Sequence, residues 1–410
     1  MSFQERRAKF AALLESLYLC LFALILAFSF LKITSFNIPW QMVTRTGEGK
    51  ISLFSKIFLE QPYYAMQAVI VLRLLIQETY DWKRMLTAAI VLGSGYYLWS
   101  QNDSSRIILF LVLMLGAWKI SYRRIIQVFL VVVGILFLVT FVCGATGVIE
   151  DYTYIRSEEV IRHSYGIVAP TNFGAMVFFL MLFWWYLRRE KTTYWEAASA
   201  LLMAGGLQWK CNARCSSALL TVMAVLMAGM RYWYQNKERK FLPMLADVLV
   251  LSPIFVAAGS ILLTINYKNT EFWLKLNELL SNRLQLGRKG LDVFRLKPYG
   301  QYIRMFSSAE GIGDRYYFYI DSFYMQLALM YGLVILGAVL LILLVIGCKA
   351  KRQEDWILLW IIGLAAMHGI IEPHVIELPY CPLALALLAD LDHRPGMTVK
   401  EIVGTVWIKN

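Results

Sequence analysis

The sequence predicts an all-α, polytopic integral membrane protein of about 12 transmembrane helices, formed by a single domain over residues 1–410. Hydrophobic residues make up 59% of the 410 residues and the mean hydropathy is +0.56, whereas a soluble domain is about half apolar. The apolar residues lie in blocks of roughly 17 to 25, the length that a helix needs to cross about 30 Å of hydrocarbon. Strand-like alternation over about ten residues is absent, so helices are the expected means of satisfying backbone hydrogen bonds in lipid.

The first half of the chain contains six predicted spans. Basic residues precede an apolar run at the N-terminus, but no small-x-small cleavage site follows, so we expect a retained first span and not a removed signal peptide. Lys32 and Arg73 lie near the ends of their spans, where long basic side chains can snorkel to the headgroups. The six spans are about 17–36, 62–79, 85–100, 106–118, 125–146 and 171–187.

The second half contains six further predicted spans and one long polar interval. The interval, residues 265–320, separates the ninth span from the tenth and is predicted to form a long extracytoplasmic loop. The six spans are about 195–209, 215–230, 243–264, 321–347, 356–371 and 378–389.

The basic residues indicate the orientation of these spans. The net charge is +12, from 40 Lys and Arg against 28 Asp and Glu. With the N-terminus inside, the cytoplasmic segments hold 21 of the basic residues and the short outer loops hold 8. This asymmetry follows the positive-inside rule and places both termini in the cytoplasm. The rule also explains the excess of basic residues, so nucleic acid is not an expected partner.

The long interval breaks this charge rule on its own side of the membrane. It holds nine basic and five acidic residues, with ten aromatic residues between them. A long loop can translocate regardless of its charge, so the predicted orientation is unaffected. Binding of an anion outside the membrane would account for the basic residues.

The residues best suited to chemistry lie at the predicted outer ends of the spans. Ionisable residues are scarce within the spans, which argues against a proton-coupled transporter. Arginine can hold the growing charge of a leaving diphosphate, and a carboxylate or histidine can act on a sugar hydroxyl. The Cys and His residues have no metal-ligand spacing, so neither a metal nor another cofactor is expected.

We assign these residues to two groups. The catalytic candidates are Arg162, His163, Arg214, Asp321 and Glu372. The substrate-binding candidates are Arg156, Asn172, Asn212, Arg283, Arg288, Arg304 and His374. Several of them have simpler structural interpretations: Asn172 and Asp321 as helix caps, Glu372 before Pro373 as a helix end, and Arg214 as an anchor at a span end.

Several short stretches, in order along nearly the whole chain, resemble the bacterial O-antigen and capsular polysaccharide polymerases, the Wzy class, in a Gram-positive-like form. Cys215 departs from the family pattern, which has Ser or Thr more often after the arginine. The stretches are Gly147–Ile149, Arg162–Gly166, Pro170–Asn172, Asn212–Arg214, Asn282–Gly287, Asp321–Tyr324 with Gly332, and Glu372-Pro373.

The resemblance implies a metal-independent membrane glycosyltransferase of the GT-C type. It would transfer a growing glycan from undecaprenyl diphosphate to another lipid-linked repeat unit, on the outer face of the bacterial inner (plasma) membrane. The expected partners are donor and acceptor undecaprenyl-diphosphate-linked oligosaccharides, the lipid bilayer, a flippase and a chain-length regulator. A ligase, a polysaccharide transporter (flippase) and a structural membrane protein with a lipid-binding loop are the alternatives.

Overall fold

The computed structural model describes residues 3–36, 61–77, 82–102, 106–157, 160–236, 241–305 and 318–391. These residues are mostly helical. The helices of the first half are α1 Phe3–Leu31, α2 Gln61–Gln77, α3 Trp82–Asn102, α4 Arg106–Gly116, α5 Tyr122–Ala145 and α6 Pro170–Arg188. Those of the second half are α7 Tyr194–Lys210, α8 Arg214–Asn236, α9 Phe241–Ile265, α10 Glu271–Leu279, α11 Arg283–Val293, α12 Phe323–Gln326, α13 Leu333–Arg352 and α14 Trp356–His368.

Six of the described helices, α1, α5, α6, α8, α9 and α13, are long and apolar enough to cross a membrane. Three shorter helices, α2, α4 and α14, also have apolar stretches. Large apolar side chains face outward, for example Val131, Ile135 and Leu138 on one face of α5. A soluble protein rarely exposes such a surface, whereas a helix in lipid does. The architecture is that of a helical membrane protein.

The core is formed by contacts between consecutive helices and between helices that are distant in the sequence. Helix α7 packs along α8, α9 along α14 and α13, and α1 along α5. Aromatic side chains fill the contact between α5 and α6, where the rings of Phe129 and Phe183 are 5.4 Å apart and those of Tyr122 and Tyr186 are 5.2 Å apart. Edge-to-face pairs of this kind add to the stabilisation from burial alone.

Arg73 does not snorkel, so that prediction is wrong. Its side chain in α2 is 2% exposed, and its guanidinium donates to the carbonyl oxygens of Leu14 and Gly116. Gly116 is the last residue of α4, where carbonyl groups have no partner within the helix. Arg73 therefore joins three helices by satisfying those groups.

The connection between α5 and α6 contains a small antiparallel hairpin, which the all-α prediction omitted. Strand β1, Thr153–Ser157, pairs with strand β2, Val160–His163. Tyr154 is opposite Arg162 in the register. The hairpin presents β2 to the turn between α7 and α8.

The predicted tenth span is interrupted. Helix α12 continues into a π-helical turn, Leu327–Tyr331, and α13 begins only after Gly332. The interval 265–320 contains α10 and α11, and its residues 306–317 lie outside the described part of the chain.

The predicted twelfth span, residues 378–389, is not an α-helix, so that prediction is wrong. The segment is buried and contains only a short 3-10 helix, Leu383–Leu387. Pro379 and Pro382 remove backbone donors and disfavour an α-helix in the residues before them. The amino group of Lys349 donates to the carbonyl oxygen of Ala386 and so satisfies part of this irregular backbone.

Candidate functional site

A cavity of about 580 Å³ lies among the helix ends at one side of the bundle. The end of α1, the starts of α4, α6, α8 and α11, strand β2 and the turn after α14 all contribute to its wall. Eight of the sequence-predicted site residues line it: Arg162, Asn172, Asn212, Arg214, Arg283, Asp321, Glu372 and His374.

Four helices begin at the cavity, and none of the four has an acidic residue in its first turn. Three of them begin with an arginine: Arg106 in α4, Arg214 in α8 and Arg283 in α11. A helix N-terminus carries a partial positive charge and is stabilised by acids, so arginine at this position is unfavourable by itself. At the start of α11 the N–H groups of Arg283 and Gln285 already donate to Leu280 and Asn277. The start of α8 with the guanidinium group of Arg214 therefore favours an anion most strongly.

Arg283 lies between two carboxylates. One of its terminal nitrogens forms an ion pair with Asp321, and the other is 3.7 Å from Oε1 of Glu372. Its Nε donates to the carbonyl oxygen of Ile371 at 3.1 Å. All three charged side chains are largely buried, at 12%, 13% and 5% exposed. Arg283 therefore holds both carboxylates in fixed positions at the cavity wall.

The line of charges continues from Glu372 through a histidine. Oε2 of Glu372 is 3.7 Å from Nε2 of His374, whose Nδ1 is 2.7 Å from Oε2 of Glu377. Oε1 of Glu377 pairs with Arg106 at 2.8 Å. The imidazole stacks on Tyr380, with ring centroids 4.1 Å apart. We name this series of groups, from Asp321 to Arg106, the charge line.

Two carboxyl groups of the charge line, those of Asp321 and Glu377, differ in acidity. Burial raises the pKa of Asp321 to about 7, an effect that the opposing charge of Arg283 only partly offsets and that Glu372 increases. Burial also disfavours ionised Glu377, but Arg106 and His374 outweigh it and lower the pKa of that carboxyl to about 2. Glu377 is thus a permanent anion at neutral pH, whereas Asp321 can exchange a proton there.

The turn between α7 and α8 presents Asn212 and Arg214 to the cavity. Asn212 has a φ of 47°, a left-handed conformation that asparagine tolerates better than most residues. Arg162 on β2 donates from Nε to the carbonyl oxygen of Cys211, the C-cap of α7, at 2.8 Å. Arg162 thereby holds this turn in place while it lines the cavity.

Arg214 has no hydrogen-bond or ion-pair partner among the described residues, and its side chain is exposed. It is the first residue of α8, so its guanidinium adds to the positive end of that helix. Its neighbour Asn172 lies in the first turn of α6, whose N-cap is Ala169, so Asn172 is not the cap that one interpretation assigned. Both side chains are available to a ligand in the cavity.

His163 does not line the cavity, although the sequence placed it among the catalytic candidates. Its Nδ1 is 2.7 Å from Oδ2 of Asp151, and the other carboxylate oxygen accepts from the backbone N–H groups of Ser164 and Tyr165. The imidazole ring also stacks on the ring of Tyr165, with centroids 5.5 Å apart. His163 therefore contributes to the shape of the loop that leads into α6.

Two substrate-binding candidates, Arg288 and Arg304, also lie apart from the cavity's lining. Arg288 lies in a separate pocket on α11, where it pairs with Asp292 at 3.0 Å. Arg304 has an exposed side chain and does not line the cavity. Arg156 belongs to β1, and its side chain is outside the part of the structure that is described.

The cavity also contains charged residues that the sequence did not single out. Lys32, Arg106 and Glu377 line it, together with the phenols of Tyr154 and Tyr319. Arg106 opens an apolar helix, and Glu377 follows Glu372 and His374 in one short polar stretch. Arg106 and Glu377 could therefore have been found by the same criterion as the other candidates, an ionisable residue at the predicted outer end of a span.

Among the described residues, no three His, Cys, Asp or Glu side chains are grouped in a way that could hold a metal ion. No protein-family model, curated protein or solved structure matches the chain. The chemistry of the cavity is therefore argued from its own residues.

Proposed function

We propose that the protein is a polysaccharide polymerase: a membrane glycosyltransferase that joins undecaprenyl-diphosphate-linked repeat units into a capsular, O-antigen or exopolysaccharide chain. It would have a GT-C-like arrangement and act on the outer face of the bacterial inner (plasma) membrane, with both termini in the cytoplasm. A flippase would supply its substrates, and a chain-length regulator would act with it. One observation carries the proposal: the exposed guanidinium group of Arg214 and the buried carboxylates of Asp321 and Glu372 line a single cavity at which four helices begin.

Arg214 and the donors near it suit a departing diphosphate. Negative charge grows on the phosphate oxygen as the bond to the sugar breaks, and fixed donors stabilise it without reorganising. Arg214 and the start of α8 would bind that oxygen, with Asn172 and Asn212 as further donors. Arg162 would act mainly by holding the turn on which Arg214 lies.

The buried carboxylates suit the incoming hydroxyl group. The hydroxyl oxygen forms a bond to the anomeric carbon of the donor, the bond from that carbon to the phosphate oxygen breaks, and the electron pair leaves with the diphosphate. The hydroxyl proton passes to a carboxylate, for which Asp321 and Glu372 are the candidates. The pKa of about 7 makes Asp321 a suitable base near neutral pH.

The distribution of cations favours an enzyme over a transporter. Of the Lys and Arg residues that line the cavity, Arg162 lies on β2, and the others lie at or next to the end or the start of a helix. Those others are Lys32, Arg106, Arg214 and Arg283. A transporter would need such groups along a path near the bilayer midplane. A ligase would share the same donor chemistry and differ only in its acceptor.

Reconstitution with a synthetic undecaprenyl-diphosphate-linked repeat unit tests the proposal. The purified protein should form a ladder of polymers in the presence of a chelator. Arg214→Gln should lower the rate about 100-fold or more, as expected when one fixed donor to a developing oxyanion is removed. Lys275→Gln is the matched control, because Lys275 does not line the cavity and pairs with Glu271 on the exposed surface of α10.

Three results would contradict the proposal. Strict dependence on a divalent cation would exclude the metal-independent mechanism. Transfer to an unrelated acceptor, with no joining of repeat units, would identify a ligase. Accumulation of repeat units only on the cytoplasmic side in cells that lack the protein would identify a flippase.

A further inference from the structure

A second pocket, of about 300 Å³, lies against α11, and none of its lining residues lines the cavity. We name it the α11 pocket. Its wall includes Tyr267, Lys268, Gln285, Arg288, Lys289 and Asp292.

The helix α11 forms a wall of both sites. Gln285, Arg288, Lys289 and Asp292 have the i, i+3, i+4, i+7 spacing that places side chains along one stripe of a helix. The cavity is lined instead by Arg283 and by residues next to it in space. With about 100° of rotation per residue, the middle of this stripe lies roughly half a turn from Arg283. Both arginines are substrate-binding candidates from the sequence, and the structure places them in different pockets.

The charges of the α11 pocket favour an anion. It holds three cations, Lys268, Arg288 and Lys289, against one acid, Asp292. The two lysines are exposed and have no partner among the described residues. Arg288 is held in place, because it donates to the carbonyl oxygen of Ile265 at 2.7 Å and pairs with Asp292.

Tyr267 provides an independent observation that points to a ligand. The side chain is 9% exposed, and its hydroxyl group is buried with no hydrogen-bond partner among the described residues. A buried hydroxyl without a partner is costly, so such groups normally have one. The ring is fixed beside that of Trp273, with centroids 6.4 Å apart. A phosphate oxygen in the pocket would accept from this hydroxyl group and from the lysines.

The location of the pocket indicates how such a phosphate would be anchored. Tyr267 and Lys268 follow directly after α9, one of the helices long enough to span the membrane. The end of a span lies at the level of the lipid headgroups. A phosphate carried by a lipid could therefore reach the pocket while its chain remains in the bilayer.

We propose that the α11 pocket binds the phosphate group of a lipid. Polymerisation needs two lipid-linked chains at once, and the proposed function assigns one diphosphate to the cavity, so the pocket would hold the carrier diphosphate of the second chain. That identity rests on the proposed function, whereas the phosphate chemistry rests on Lys268, Lys289 and Tyr267 alone.

Calorimetric titration with farnesyl diphosphate, a short polyprenyl diphosphate, tests the proposal on the full chain in phosphatidylcholine nanodiscs. The wild-type protein should bind two equivalents. Arg214→Gln should lose the equivalent in the cavity, and the double variant Lys268→Gln, Lys289→Gln should lose the other. Tyr267→Phe should weaken that second equivalent roughly tenfold, because it removes one hydrogen bond to a charged group. Lys275→Gln is the control and should bind as the wild type does.

A second series in nanodiscs containing phosphatidylglycerol distinguishes the two sources of phosphate. If the pocket is specific for the carrier diphosphate, the second equivalent persists; if a bilayer phospholipid occupies the pocket, the second equivalent disappears from the wild type. Either result supports a lipid phosphate site. The proposal is wrong if the lysine double variant and Tyr267→Phe both bind as the wild type does. It is also wrong if the wild type binds a single equivalent in both lipids and Arg214→Gln loses that equivalent. Failure of the proposed function would instead appear as normal polymer formation by Arg214→Gln.

Discussion

Two arginines in the cavity have different electrostatic surroundings. Arg283 is balanced by Asp321 and Glu372 and is largely buried. Arg214 is exposed, lies at a helix start and has no partner among the described residues. The free charge is the one that a ligand can neutralise, so Arg214 would bind the anion and Arg283 would position the carboxylates.

Replacing Arg283 should therefore destabilise the protein. Arg283→Met leaves Asp321 and Glu372 buried without their counter-ion, and we expect it to lower the free energy of unfolding by about 3–5 kcal/mol. The double variant Arg283→Met, Asp321→Asn removes one of the stranded charges and should recover part of the loss. Equilibrium unfolding in mixed micelles measures both, and a single variant as stable as the wild type would show that the ion pairs are not structural.

Protonation of Asp321 should control anion binding in the cavity. Its raised pKa, about 7, leaves the carboxyl group neutral at lower pH, where Arg283 is no longer fully balanced. Affinity for inorganic diphosphate should thus rise as the pH falls from about 8 to about 6. The same raised pKa means that ionisation costs stability, and the cost is incurred as the pH rises toward 7.

Asp321→Asn is the comparison for this pH dependence, because the ligand titrates too. The affinity of the variant should follow the protonation of diphosphate and of the groups that both proteins share, and the difference from the wild type isolates Asp321. Glu372, His374 and Glu377 also lie around the carboxyl group and remain in both proteins. Identical pH profiles for the two proteins would exclude Asp321 as the titrating group.

At the residue scale, sequence could predict residue types but not their partners. The outer ends of spans identified Arg162, Arg214 and Glu372, which do meet in one cavity. His163 is adjacent to Arg162 in the chain, but neighbours in a strand face opposite ways. Its partner Asp151 is 12 residues away and becomes close only through the hairpin.

At the scale of the elements, a pair of glycines fixes the break before α13. Gly300 and Gly332 have φ angles of 77° and 93°, and a Cβ on Gly332 would lie 2.3 Å from the nitrogen of Gly300. Because the two backbone segments lie this close, the N–H groups of Leu333 and Val334 donate to the carbonyl oxygens of Lys297 and Pro298. The distances are 3.1 and 3.0 Å. The first N–H groups of α13 are thus satisfied by the long polar interval.

Alanine substitutions at two glycines of this region should have opposite consequences. Gly332→Ala forces an unfavourable φ and a backbone clash, with a cost of about 1–3 kcal/mol or more. Gly337→Ala, in the open interior of α13, meets no atom within 4 Å and should be neutral or stabilising. Thermal unfolding of the two variants measures the contrast, and equal midpoints would show that the close approach is not important for stability.

The span pattern predicted most helices but not the last one. An apolar run with the right length occurs at α5 and α9, and each is a helix. Residues 378–389 are apolar too, but Pro379 and Pro382 disfavour an α-helix and burial in the bundle allows irregular backbone. Lys349, from α13, provides the hydrogen bonds, and such a distant donor cannot be predicted from a local window.

At the scale of the whole molecule, buried charged residues lie in two groups, one at each end of the helical bundle. The cavity lies where α1 ends and where α4, α6 and α8 begin. The opposite end contains a buried ion pair between Arg189 and Asp355, 3.1 Å apart, which joins the end of α6 to the start of α14. The side of the membrane that the cavity end faces is therefore the side on which the chemistry takes place.

That orientation can be measured with a membrane-impermeant maleimide in intact cells. Lys275 and Lys191 are exposed, on α10 and directly after α6 respectively. Because α6 starts at the cavity and ends at Arg188, the two positions lie on opposite sides if α6 crosses the bilayer. Lys275→Cys should react in intact cells and Lys191→Cys only after permeabilisation, as the excess of cytoplasmic Lys and Arg requires. The unsubstituted protein, which retains its six cysteines, is the background control. The reverse pattern would turn the cavity toward the cytoplasm, where units not yet carried across the membrane would be its substrates, and would contradict polymerisation on the outer face.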